Sequence, residues 1–263
     1  MYRRPSAVRA VELTMDMKVA VMLVTVVAGF LLLTSGCSSV ERKLLFYPTH
    51  RPPDGALPQW KDRGEVIGCS REVASPRNVW LMLHGNGGQA ADRAYAIGSF
   101  SAEDSVYILE YPGYGERGGT PSKRAFNEAA KAAYLSLKQR YPAIPVCVAA
   151  ESIGSGPACS LAALPTPPEK LVLIVPFDRL SLVAREHYPS IVVGLLLKGD
   201  WDNVQALVNY KGPVEIFAAK EDTIIPPRRA QALAAAVSSS KLTLIDGGHN
   251  DWSRQPQVKI RNP

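Results

Sequence analysis

Thirteen residues, Val146 to Ala158 (VCVAAESIGSGPA), constrain this chain more than any other stretch. A short apolar run rich in β-branched residues stops at a lone serine, Ser152, with Ala150 two places before it and Gly154 two places after. A helix-compatible segment follows. A buried strand that turns sharply into a helix holds the residue at the turn in a strained conformation, with its side chain clear of the sheet edge. Its neighbours must be small, because strand and helix nearly touch there. The usual spacing is Gly-x-Ser-x-Gly, and Ala150, the next smallest residue, takes the first glycine's place. This is the layout of a nucleophile elbow.

The surrounding sequence supplies a parallel sheet for such an elbow. Val79–Leu83 (VWLML), Val106–Glu110, Leu171–Val175 and Val214–Ala218 are short apolar runs of the kind expected for strands covered on both faces. Helical stretches alternate with them: Ala90–Phe100, Ser122–Arg140 with Phe126, Ala130, Ala133 and Leu137 in register, and Arg228–Val237. Alternation of this kind implies right-handed crossovers, a mostly parallel sheet with helices on both faces, and ligands at the carboxyl ends of the strands. The chain is thus expected to be α/β, with one domain over 63–263. An insertion at about 177–211 breaks the rhythm and reads either as a short lid or as helical packing over the sheet edge.

Two further loops at that sheet end carry chemistry. After Val79–Leu83 comes His84-Gly85-Asn86-Gly87-Gly88, whose glycines let backbone N–H groups face a cleft, as stabilising an oxyanion requires. The Asn86 N–H is the expected first donor, and His84 is expected to be structural. Asp222 stands four residues beyond Ala218, and His249 follows the last strand, Leu242–Ile245. Serine, acid and histidine therefore occur in that order, each just past a strand end. A hydroxyl becomes a good nucleophile when a neutral imidazole takes its proton, and a carboxylate fixes the tautomer of that imidazole. Glu221 is the main rival for the acid, with Asp246 and Asp251 too near His249 in sequence to approach its ring from another strand. His187 could compete as the base only if the insertion folded back over Ser152.

The first residues differ in kind. Arg3, Arg4, Arg9 and Lys18 precede an uncharged run, Val19–Leu33, then Thr34-Ser35-Gly36-Cys37. Fifteen helical residues span about 22 Å, short of the roughly 30 Å hydrocarbon core, so 1–36 reads as a signal peptide rather than a membrane span. The small residues before Cys37 resemble the lipobox of bacterial lipoproteins, which implies lipidation of Cys37 and a protein tethered to the cell envelope. Residues 37–62, with Pro48, Pro52, Pro53 and Pro58, read as a tether and entry loop. Of the formal charge of +6, residues 38–263 carry +4, without Lys/Arg runs interleaved with aromatics, which excludes a nucleic-acid partner. Cys147 and Cys159 read as core thiols, and no metal-ligand spacing occurs, so neither metal nor cofactor is expected.

Taken together, Leu44-Leu45-Phe46-Tyr47-Pro48, His84-Gly85-Asn86-Gly87, Tyr111-Pro112-Gly113-Tyr114-Gly115, Glu151-Ser152-Ile153-Gly154-Ser155-Gly156, Asp222-Thr223-Ile224-Ile225-Pro226 and Gly248-His249-Asn250-Asp251 resemble the α/β-hydrolase superfamily. Within it they are similar to the branch that includes membrane-associated palmitoyl-protein thioesterases and lysophospholipid lipases. The resemblance implies Ser152 as nucleophile, Asp222 as acid, His249 as base, and the N–H groups of Asn86 and Ile153 as oxyanion donors. It implies a serine hydrolase acting on small-molecule or lipid acyl esters or thioesters. A serine peptidase, and a non-catalytic envelope-tethered binding protein of the same fold, are the alternatives. Fourteen residues follow His249, where members usually continue into a longer closing helix.

Overall fold

A computed structural model describes residues 41–52 and 55–262, so the expected signal peptide and the lipidation candidate Cys37 lie outside the described residues. From Leu45 onward the chain forms one compact unit. Its ten strands are β1 (Tyr47–Pro48), β2 (Gln59–Asp62), β3 (Glu65–Arg71), β4 (Val79–Leu83), β5 (Gly87–Gly88), β6 (Ser105–Leu109), β7 (Val146–Glu151), β8 (Leu171–Ile174), β9 (Val214–Ala219) and β10 (Ser240–Ile245). Eight of them make one sheet in the order β10-β9-β8-β7-β4-β6-β3-β2, and β1 pairs with β5 beside it. From β10 to β6 every pairing is parallel, whereas β3 is antiparallel to both β6 and β2.

The sheet is buried on both faces because its strands send alternate side chains to two cores. Leu81, Leu83, Val148 and Ala150 join one core. Trp80, Met82, Cys147 and Ala149 join the other. The first core is closed by the helix α1 (Lys123–Arg140), whose Phe126, Ala130, Ala133 and Leu137 form its buried face. Ser122 caps α1 by accepting from the Ala125 N–H at 3.1 Å. The second core is closed by a 3-10 segment, Ala90–Ser99, and by the chain's last residues. Trp252, Val258 and Ile260 are buried there, and Ile260 bridges Phe100. Cys147 and Cys159 are buried thiols, and burial pushes the Cys147 thiol up to about 12.

The segment expected to be an entry loop contains a strand. Gln59–Asp62 pairs with β3 at the sheet edge through a two-residue turn at Arg63 and Gly64, both with positive φ (48° and 86°). The prolines permit this because Pro58 offers only its carbonyl, which accepts from the Ser70 N–H at 2.9 Å. Trp60 then anchors the strand, buried against Tyr107 with ring centroids 5.0 Å apart.

Residues 177–211 carry three short helices, α3 (Leu180–His187), α4 (Ser190–Leu196) and α5 (Asn203–Leu207). The neck is closed by a bridge between Arg179 and Asp202 and by the ion pair of Arg179 with Asp200 at 2.7 Å. Trp201 packs over Gly156, where a β-carbon would lie 2.6 Å from the indole ring. The C-terminal part of the insertion, Trp201 and α5, therefore rests on the helix that follows Ser152, α2 (Ser155–Ser160), where Asn203 Nδ2 also donates to Ser155 Oγ at 3.2 Å.

Candidate active site

Chain order explains where a site can form. β4 leads to β6 on one side, while β7 leads to β8 on the other, so the connections part between adjacent strands β4 and β7. Such a switch point leaves a crevice outside the carboxyl ends of the strands. Leu83 pairs with Ala150 there, which sets the loop after β4 directly beside the turn after β7.

Ser152 occupies that turn with φ 55°, in the left-handed region that non-glycine residues seldom adopt. Gly154 explains how the turn stays so tight. A β-carbon on it would lie 2.3 Å from the Leu83 carbonyl oxygen and 2.8 Å from that of His84, both immovable backbone atoms of the neighbouring strand end. Ala150, by contrast, fits its place fully buried. Gly154→Ala is accordingly expected to force β4 and the turn apart. It should lower stability by about 1–3 kcal/mol, as overpacking does, and lower activity further than stability alone explains. Denaturant unfolding together with ester kinetics checks this.

From Ser152 a hydrogen-bonded line crosses three loops. Ser152 Oγ lies 2.9 Å from His249 Nε2, and His249 Nδ1 lies 2.7 Å from Asp222 Oδ2. An ionised carboxylate only accepts, so Nδ1 carries the proton, and in the neutral ring Nε2 is left to accept from the serine hydroxyl. Asp222 is fixed from behind, since Oδ1 accepts from the N–H groups of Ile224 at 2.9 Å and Ile225 at 2.8 Å. The histidine loop is held by Asp251, whose Oδ2 accepts from the Gly248 N–H at 2.8 Å. Ser152, Asp222 and His249 are all buried, 5–8% exposed. The rival residues point elsewhere: Glu221 is exposed, Asp246 pairs with Lys220, and His187 is exposed with its Nε2 donating to the Ile224 carbonyl at 2.8 Å.

The loop His84–Gly88 faces the serine across the crevice. Its Asn86 side chain is pinned on both ends: Nδ2 donates to the Leu45 carbonyl at 2.5 Å, and Oδ1 accepts from the Tyr114 hydroxyl at 3.0 Å. The Tyr111 hydroxyl donates to the His84 carbonyl at 3.0 Å while its ring stacks on Phe126 at 3.9 Å. Burial raises both phenols far above the ordinary range, so both remain protonated donors. His84 is fully buried, 4.4 Å from the Tyr111 ring and 3.4 Å from Glu110, a supporting position rather than one on Ser152. Ile153 is the second residue of the short helical turn Ser152–Gly154, where first-turn N–H groups have no intrahelical partner. The backbone of Asn86 and the backbone of Ile153 thus belong to the two elements that flank the serine.

Sequence reasoning missed the residues that support this loop. Glu151 and Arg93 form a buried pair beside it, and Tyr114 holds Asn86. A signal existed for Glu151, a charge at the end of an otherwise apolar strand. Arg93, one polar residue in a helix-like stretch, had none.

No family model matches the chain. It is 29% identical over 234 residues to the uncharacterized protein Rv2307c of Mycobacterium tuberculosis, covering 81% of this chain and 82% of that one. It is 31% identical over 192 residues to lysophosphatidylserine lipase ABHD12 of Danio rerio, covering 65% of this chain; it spans about half the length of that relative. Among solved structures, an α/β hydrolase of Vibrio vulnificus superposes with a TM-score of 0.58 at 21% identity, over 67% of this chain and 69% of that one. Est1E of Butyrivibrio proteoclasticus, solved with ferulic acid, superposes with a TM-score of 0.55 at 14% identity, over 66% and 82% of the respective chains. With the strand order described above, these likenesses show the α/β-hydrolase fold.

Proposed function

We propose that the protein is a serine hydrolase that cleaves carboxylic esters or thioesters through an acyl-enzyme on Ser152. The observation that carries this reading is the unbroken line from Ser152 Oγ to His249 Nε2 and from His249 Nδ1 to Asp222. His249 takes the serine proton as Oγ attacks the acyl carbonyl, and the carbonyl oxygen becomes an oxyanion facing the Asn86 and Ile153 N–H groups. Collapse of that intermediate expels the alcohol or thiol, which receives the proton from His249. Water then attacks the acyl-serine, giving its proton to the same imidazole, and the free acid leaves with Ser152 restored. Asp222 keeps the ring in the required tautomer and stabilises it while charged.

The substrate class is a lipid acyl ester. Tyr188, Ile191 and Leu195 on the insertion, and Ile224 in the acid loop, are large apolar side chains 44–73% exposed. His187 joins the two segments through the Ile224 carbonyl, so this apolar surface adjoins the loop that carries Asp222. The ABHD12 relatives, named as lysophosphatidylserine lipases, favour the same class. Hydrolysis of p-nitrophenyl esters and acyl thioesters of increasing length tests it: kcat/KM should rise with chain length, and a steady fall beyond short acyl groups would oppose a lipid substrate. The signal-like 1–36 and Cys37 support tethering to the cell envelope. Cys37→Ala should move the protein from the membrane to the soluble fraction, and unchanged fractionation would refute the tether.

A further inference from the structure

Glu151 immediately precedes the nucleophile, and its side chain is 5% exposed in the seam between β7 and the loop after β4. Its Oε2 accepts from the Gly85 N–H at 3.3 Å and lies 3.4 Å from Arg93 Nε. Space there is tight, since a β-carbon on Gly85 would sit 3.1 Å from the same carboxylate. Arg93, 12% exposed, reaches in from the 3-10 segment and also donates from Nη2 to the Gly87 carbonyl. The loop is therefore gripped on both sides of Asn86, at Gly85 by the carboxylate and at Gly87 by the guanidinium, and the two grips are tied to each other.

The pair also reaches the histidine loop. The Arg93 guanidinium sits 6.0 Å from the Tyr95 ring centroid, and that ring meets Trp252 edge-on at 5.9 Å.

A carboxylate in this position would be a liability by itself. Negative charge grows on the substrate oxygen during attack, and a second negative charge close by in a desolvated crevice opposes it. We propose that Arg93 and Glu151 are positioning residues for the oxyanion site: Arg93 cancels the Glu151 charge, and together they fix the Gly85–Gly87 backbone so that the Asn86 N–H faces the developing oxyanion. Neither touches substrate. The role rests on the acyl-transfer reading above, because only a reaction that builds an oxyanion feels the unmasked charge.

Arg93→Ala is expected to lower kcat for a p-nitrophenyl ester roughly 10- to 100-fold while KM changes less than about 3-fold, because the uncharged ground-state ester senses the bare carboxylate far less than the transition state does. A trifluoromethyl ketone, which adds Ser152 to give an anionic tetrahedral adduct, should bind more weakly by the same factor. The decisive comparison is R93A/E151Q, in which an uncharged amide still accepts from the Gly85 N–H; it should regain at least about 5-fold of the lost kcat. Should R93A not fold, Arg93→Met beside Arg93→Lys carries the test, with lysine retaining most of kcat and methionine losing it. A double variant no better than R93A, or an R93A enzyme with unaltered kcat, would overturn the inference. Both results leave the acyl-enzyme reading standing if Ser152→Ala is inactive, whereas an active Ser152→Ala would fail that reading instead.

Discussion

Ser152→Ala should lower kcat for ester hydrolysis by about 10⁵- to 10⁶-fold and leave the protein folded. The activity is lost because the group that forms the acyl bond is removed; among the described residues the side chain hydrogen-bonded to His249 Nε2 is the serine hydroxyl, at 2.9 Å. The fold survives because, among the described residues, the hydroxyl makes no hydrogen bond besides the one to His249. Both serine and alanine carry one β-carbon at φ 55°, so the strain of the turn is unchanged. The interactions that hold the turn in place come from its neighbours: Gly154 against β4, and Ser155 Oγ donating to the Ser152 carbonyl at 2.7 Å. Circular dichroism and a melting midpoint within a few degrees of the parent, beside near-zero turnover, are the expected pair of results. Turnover close to the parent's would remove the mechanism.

Asp222→Asn should cost about 10³- to 10⁴-fold in kcat with little change in KM. The amide is nearly the same shape as the carboxylate, and its oxygen can still accept from the Ile224 and Ile225 N–H groups, which hold the loop at 2.9 and 2.8 Å. What faces His249 Nδ1 would then be an NH₂ donor in place of an acceptor. The ring must turn its proton to Nε2 to avoid two donors meeting, and that nitrogen can no longer take the proton of Ser152. The variant therefore keeps the geometry and loses the base. A loss below about 10-fold would show that Asp222 is not the acid partner, and Glu221→Gln measured alongside should change kcat by less than about 3-fold because that side chain is exposed and Asp222 is the carboxylate on His249 Nδ1.

The strands that build the site were readable because they are buried on both faces. Val79–Leu83 is expected and found with the same limits, since an uninterrupted apolar run leaves no polar face to blur its ends. The elbow announces itself through small residues, and Gly154 shows why: backbone from β4 occupies the space a side chain would need. The order serine, acid, histidine also follows from strand ends alone. What the sequence hid has a physical reason in each case. β2 lay in a proline-rich segment, and its place depends on one carbonyl of Pro58 and one buried tryptophan, Trp60, neither of which has a periodic signature. The insertion's helices are short, and their anchoring by Trp201 on Gly156 is a tertiary contact between residues 45 positions apart. The Arg93–Glu151 pair joins two segments that meet only after the sheet has formed, so nothing local marks it.

The central claim is that Ser152 is an activated nucleophile, and it can be read chemically in a single measurement. A fluorophosphonate reacts with a serine whose proton is removed by a neighbouring base, and mass spectrometry of the digested protein locates the adduct. The expected result is one stoichiometric adduct on the peptide containing Ser152, absent after Asp222→Asn or His249→Ala over the same exposure. An unlabelled protein, or an adduct on a different residue with Ser152 unmodified, would contradict the account.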